Sequence, residues 1–201
     1  KYELVQKLLD KDSSEYGEFF SSPVKVTTEN VYEAVNYGTA VAPFYTTLAL
    51  WVGGLLLTAL IKTSPDDLDE FKNATLTQKY FGRYIIFWLM GQIQAIITVL
   101  GDLYLLKIYC VDPGIFMLTA SIVSFAFTLL IYTLTLSFGD VGKALAVVLV
   151  VIQIAGSSGT YPIELLPSFF KNVYLYFPFP YAINAMREAV SGVYGWDYFT
   201  Y

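Results

Sequence analysis

Histidine is absent from this 201-residue chain, and Cys110 is its single cysteine. Without histidine there is no Ser/His/Asp relay, and one thiol can form neither an intrachain disulfide nor a Cys/His metal site. Charge is scarce too. Asp, Glu, Lys and Arg make up 14% of the residues, against about 25% in soluble domains. What charge there is sums to −5, the wrong sign for a nucleic-acid-binding face. No G-x-x-x-x-G-K-[ST] run occurs, so ATP is not bound in the P-loop manner. Asp102 and Glu164 have no spacing that suggests paired acid–base work. The chain is therefore not expected to be an enzyme, and no catalytic, cofactor-binding or metal-ligating residues are assigned.

What fills the chain instead is apolar. Hydrophobic residues reach 56% and aromatics 17%, with 17 Tyr and 15 Phe, and the mean hydropathy is +0.54. Lipid is the expected solvent, with Tyr and Trp at its boundaries. The fold class expected is an all-α membrane protein, a polytopic bundle of about four spans. These fall at about 38–61, 84–106, 114–138 and 144–160, each apolar and close to the roughly 20 residues that cross a bilayer. Pro43 is placed near the start of the first span, where a missing amide costs least. Gly53 and Gly54, mid-span, read as helix-packing residues. Gln92 and Gln94 are candidate polar ties between helices, and Asp102 is the one acid near hydrocarbon depth in a regular span.

The connections carry the charge. Ser64-Pro65-Asp66-Asp67 is a helix start, and Leu68, Phe71 and Thr75 share a face, so 62–83 reads as an amphipathic connector ending in Lys79 and Arg83. Asp66, Asp67, Leu68, Phe71 and Lys79 form a candidate surface for a partner. Asn73-Ala74-Thr75 matches a glycosylation acceptor, a motif frequent by chance. Lys62, Lys72, Lys79, Arg83 and Lys143 outnumber the cations of the opposite loops. That bias places 62–83 and 138–143 in the cytoplasm and residues 1–37, 107–113 and 161–192 outside. Residues 1–12 have the face of a helix end (Leu4, Val5, Leu8, Leu9), and 13–36 are polar and turn-rich around Val24-Lys25-Val26. Lys1 follows no Met or signal-like segment, so the chain reads as an internal piece of a longer protein.

The fourth span ends in small residues, Gly156-Ser157-Ser158-Gly159, and breaks at Tyr161-Pro162. The pieces that follow, cut by Pro167, Pro178 and Pro180, are too short to cross and too apolar for a wet loop. They are expected to form an external re-entrant hairpin over 161–192, since irregular backbone at membrane depth must be buried in protein or line water. Gly156, Ser157, Ser158, Gly159, Tyr161, Pro162 and Glu164 are its candidate path residues, with Glu164, Arg187 and Glu188 expected to cap or pair there.

Four stretches carry a family resemblance: NYGTAVAPFY (36–45), LALWVGGLLL (48–57), AGSSGTYPIELLPSFF (155–170) and FPYAINAMREAVSG (179–192). Over about residues 20–201 the chain resembles the YhgE/Pip, or phage infection protein, family of Gram-positive bacteria, itself similar to the membrane subunits of type-2 ABC exporters. The resemblance implies a multi-pass cell-membrane protein in which 1–37 close a large external domain. It also implies a further span before Lys1 and another after Tyr201. Two functions follow as expectations. One is an export permease of unknown substrate, working as a homodimer in membrane lipid with a separate ATPase subunit that meets 62–83. The other is a surface receptor or scaffold whose external domain binds a phage or an envelope protein.

Overall fold

The computed structural model describes residues 36–64, 73–159, 163–193 and 196–200. All of them belong to one compact unit, Tyr32–Tyr201. The expected helix end at 1–12, the polar 13–35 segment, and the candidates Asp66, Asp67, Leu68, Phe71, Tyr161 and Pro162 lie outside the described residues.

Every described element is helical. Helix α1 is Tyr37–Leu60, α2 is Leu76–Leu100, α3 is Pro113–Phe138, α4 is Asp140–Gly156, α5 is Ser168–Val173 and α6 is Pro178–Ser191. The all-α membrane fold expected from composition is what the chain adopts. Among the described residues, three segments are long and apolar enough to cross a membrane: Tyr37–Leu60, Leu76–Leu105 and Pro113–Phe138. Helix α4 has 17 residues, about 25 Å at 1.5 Å per residue, and reaches most of the way across.

Local chemistry sets the boundaries. Asn36 caps α1 by accepting from Thr39 N at 2.8 Å. Pro43 lies near the start of α1 as expected, but in its second turn, inside the helix. Such a proline is tolerated in membrane helices where neighbours satisfy the backbone. Helix α2 begins eight residues before the expected 84, since Thr75 and Gln78 form a reciprocal capping box at 3.3 and 2.9 Å. Lys79 and Arg83 thus belong to the first turns of the span instead of a separate connector. Thr75→Ala is expected to cost about 1 kcal/mol, read as a lower midpoint on denaturant titration in detergent. Gly139 ends α3 at φ +58°, and α4 restarts at once with Asp140, four residues earlier than expected.

Helix α3 is central and packs on α1, α2, α4 and α6. Its seam with α2 is close because Gly91 faces Ser124 and Thr128. A Cβ there would lie 2.8 Å from Thr128 Cγ2, and Ser124 Oγ donates to Gly91 O at 2.8 Å. Towards the Arg83 end of the seam, Tyr84, Phe87 and Tyr132 form an aromatic cluster, with the Phe87 and Tyr132 rings 4.9 Å apart.

The main core turns on Trp51, 0% exposed at mid-α1. Its ring meets Phe127 of α3 at 5.0 Å and Phe179 of α6 at 5.4 Å, and its indole N–H donates to Ala146 O of α4 at 3.2 Å. Phe127 and Phe179 stack at 5.5 Å. One side chain therefore ties four helices together at mid-depth.

Candidate functional site

The two faces of the bundle can be told apart by contacts. On one, the Arg83 guanidinium donates to Lys62 O at 2.8 and 2.5 Å, joining the end of α1 to the start of α2; Lys143 pairs with Asp140 there at 3.1 Å. On the other, Tyr109 N donates to Thr39 Oγ1 at 3.1 Å, joining the start of α1 to the α2–α3 loop.

Helix α6 lies against that second face. Val111 N and Asp112 N donate to Val190 O and Ala189 O at 2.9 and 3.3 Å, and the Cys110 thiol donates to Ala189 O at 3.6 Å. The C-terminal turn of α6 is thus at the α2–α3 loop. Its N-terminal turn is at mid-depth, where Phe179 stands on Trp51 and Phe127. Fourteen residues give about 21 Å, too short to cross the ~30 Å hydrocarbon layer. Ahead of α6 in the chain lie the 3₁₀ turn Ile163–Leu165, α5 and the 3₁₀ turn Tyr174–Tyr176. Phe177 follows as the N-cap, with Pro178 opening α6. Nine of the fourteen residues of α6 are buried, which is how a half-length helix persists beside lipid.

Small residues at the end of α4 admit the close approach of α5 and of α1. A Cβ on Gly156 would lie 2.6 Å from the Phe170 ring, and one on Gly159 would lie 2.1 Å from the Phe44 ring. Ser158 takes the left-handed φ of +57°. The break is capped by Arg187, whose Nη2 donates to Ser158 O at 2.9 Å and Gly159 O at 3.1 Å. Glu164 does not cap it: its side chain is exposed, and its carbonyl accepts from Lys171 Nζ at 2.8 Å. Glu188 is buried on α6. Gly159→Ala is expected to cost about 1–3 kcal/mol by displacing Phe44, seen as a lower unfolding midpoint.

Gln153, one turn inside α4, accepts from Phe179 N at 3.3 Å through Oε1 and so caps α6 from a neighbouring helix. The sequence reading missed this residue; a glutamine within an uncharged apolar run was its visible signal. Gln94 Nε2 donates to Ala49 O at 2.8 Å, its amide lying over Gly53, and Gln92 pairs with Ser121. Both glutamines tie helices together.

Asp102 lies where α2 widens into a π-helical turn, Gly101–Leu105. It is 8% exposed and accepts from Thr46 Oγ1 of α1 at 2.5 Å. Such turns recur at functional positions. Thr46→Val leaves this carboxylate without its donor, and a loss of about 1–3 kcal/mol is expected in the same unfolding assay. Asp102 and Glu164 share no contact, and no group of three His, Cys, Asp or Glu residues that could hold a metal occurs among the described residues. Between α3 and α6 runs a groove of about 440 Å³ lined by Ile122, Phe127, Tyr181 and Ala185, with Thr119 and Tyr198 hydroxyls paired at 2.8 Å beside it.

Comparison with known proteins follows the same lines. Residues 6–201 match a family described as ABC-2 family transporter protein. The protein YhgE of Bacillus subtilis (strain 168) is 30% identical over 183 residues, which is 91% of this chain and 23% of that protein. The chain thus spans about a quarter of the length of the curated relative it matches. No solved structure matches it significantly.

Proposed function

Because the chain belongs to the ABC-2 family of transporter proteins, and its role is accordingly that of a permease-like membrane protein, we propose that it is the membrane part of an exporter powered by a separate ATPase. One observation carries the reading. Helix α6 starts at mid-depth against Trp51 and Phe127 and ends at the α2–α3 loop, beside a break in α4, so the seam between the two is held by caps and ring contacts and not by continuous helix. Such discontinuous elements are where transporters place movable, substrate-facing backbone. Two copies are proposed to face each other across the path, with 161–192 as its outer closure and the Lys62–Arg83 end in the cytoplasm. The chain itself supplies binding and movement, and catalysis belongs to the ATPase.

The test is copurification of an ATPase with the full-length protein from its own membrane. The proposal expects an ATPase in the complex, and charge reversal along Asp66–Lys79 should break both the association and export. Intact association and export in that variant would refute the coupling. A second reading, as a receptor for a phage or envelope protein, draws on the length of the Bacillus subtilis relative, most of which lies outside the matched part. Deleting the external domain while keeping the bundle separates the two: lost adsorption with intact export favours the receptor role.

A further inference from the structure

Arg187 is partly buried and its described partners are all neutral. Nη2 donates to the Ser158 and Gly159 carbonyls, and Nη1 reaches Asn184 Oδ1 at 3.4 Å. Carbonyls at a helix end offset part of a cation's charge, but they leave a guanidinium short of the oxyanion that its fork matches best. Next to Ser158 is Ser157, and one turn further into α4, on the same face, is Gln153. Each is 1% exposed. Ser157 Oγ and Gln153 Nε2 have no hydrogen-bond partner among the described residues. The Gln153 carbonyl oxygen is held by Phe179 N, which leaves the NH₂ as the uncommitted end. Buried donors of this kind are rare and costly unless something accepts from them. The third such atom, Thr135 Oγ1, is near the opposite end of the bundle and is no part of the group.

We propose that the break in α4 is an oxyanion-binding site, taking a carboxylate or phosphate group. Arg187 supplies the charge, and Ser157 and Gln153 supply the buried hydrogen bonds. That the anion belongs to the exported molecule rests on the permease reading; that it binds does not.

The experiment uses the full-length protein purified in detergent, with inorganic phosphate as the probe and chloride at matched ionic strength as the control. Phosphate should raise the thermal midpoint saturably, and chloride should not. Ser157→Ala and Gln153→Met, which leave Arg187 in place, should each weaken the apparent affinity roughly fivefold, and Arg187→Gln roughly tenfold or more. Arg187→Lys should retain part of the response, and exposed Lys107→Gln all of it. A second arm compares nanodiscs of phosphatidylglycerol with phosphatidylcholine. Stabilisation by the anionic lipid alone, lost in Ser157→Ala, assigns the site to a headgroup instead of a soluble anion. Equal phosphate responses in wild type, Ser157→Ala and Gln153→Met, or equal effects of phosphate and chloride, would overturn the site even if Arg187→Gln fails to fold. Phosphate binding without any ATPase partner would keep the site and remove the permease reading.

Discussion

Trp51→Ala is expected to lower the stability of the bundle by about 3–5 kcal/mol, the range for deleting a large buried aromatic. The residue touches Phe127, Phe179 and the Ala146 carbonyl. Its removal therefore opens a cavity at the point where four helices meet and leaves that carbonyl without its side-chain donor. Trp51→Phe keeps most of the ring volume and loses the N–H, so a smaller loss, about 1–2 kcal/mol, is expected. Denaturant titration in detergent separates the two. Trp51→Ala should also raise protease cutting near Phe177, because Phe179 loses the ring it stands on. Wild-type stability in Trp51→Ala would mean that α6 is held by its C-terminal contacts alone.

The second large effect is expected at the α3–α4 turn. A Cβ on Gly142 would lie 2.0 Å from the Leu134 carbonyl oxygen and 2.5 Å from its carbon. Both are backbone atoms, so no rotamer change relieves the clash and the helical hairpin must open. Gly142→Val is expected to cost at least the 1–3 kcal/mol typical of overpacking, and more where backbone has to move. Gly82 makes a fair control, since nothing lies within 4 Å of its Cβ position. Gly82→Ala should be neutral or stabilising by up to about 1 kcal/mol, because alanine is the better helix former. Equal effects at the two glycines would contradict the close α3–α4 packing.

Three of the four expected spans coincide with helices long and apolar enough to cross, because lipid demands long uncharged runs, and 114–138 is uncharged throughout; the fourth, 144–160, corresponds to the 17-residue α4, which is not among them. Helix starts were less legible. Thr75 and Gln78 set the start of α2, but hydropathy alone moves it to Tyr84, past the charges of Lys79 and Arg83. Those long side chains can sit in the first turns of a span by reaching back to the boundary. The break after Gly156 was visible as small residues followed by prolines. Its chemistry was only partly so. Arg187 was expected near a cap and is the cap, whereas Glu164, closer in sequence to the break, faces solvent. Contacts between Gln153 and α6, or between Asp102 and Thr46, join residues 26 and 56 positions apart. No local pattern encodes such pairs; they follow from how α3 gathers its neighbours.

Native Cys110 bears on how the hairpin is tested. Burial raises its thiol above the ordinary range; a backbone hydrogen bond at Asp112 lowers it in part, and the Asp112 charge adds to the rise. A raised pKa means less thiolate at neutral pH, so Cys110 should react slowly with maleimide there and faster as pH rises. The direct measurement is side-specific labelling in a Cys110→Ser background, with single cysteines at Ser168→Cys, Val193→Cys, Lys107→Cys and Thr63→Cys. If α5 and α6 enter and leave by one face, a membrane-impermeant maleimide added to intact cells labels the first three alike. Thr63→Cys is then labelled only after the membrane is opened. Labelling of Ser168→Cys and Val193→Cys from opposite sides would mean that this segment crosses the bilayer, and the account of a returning half-helix would be wrong.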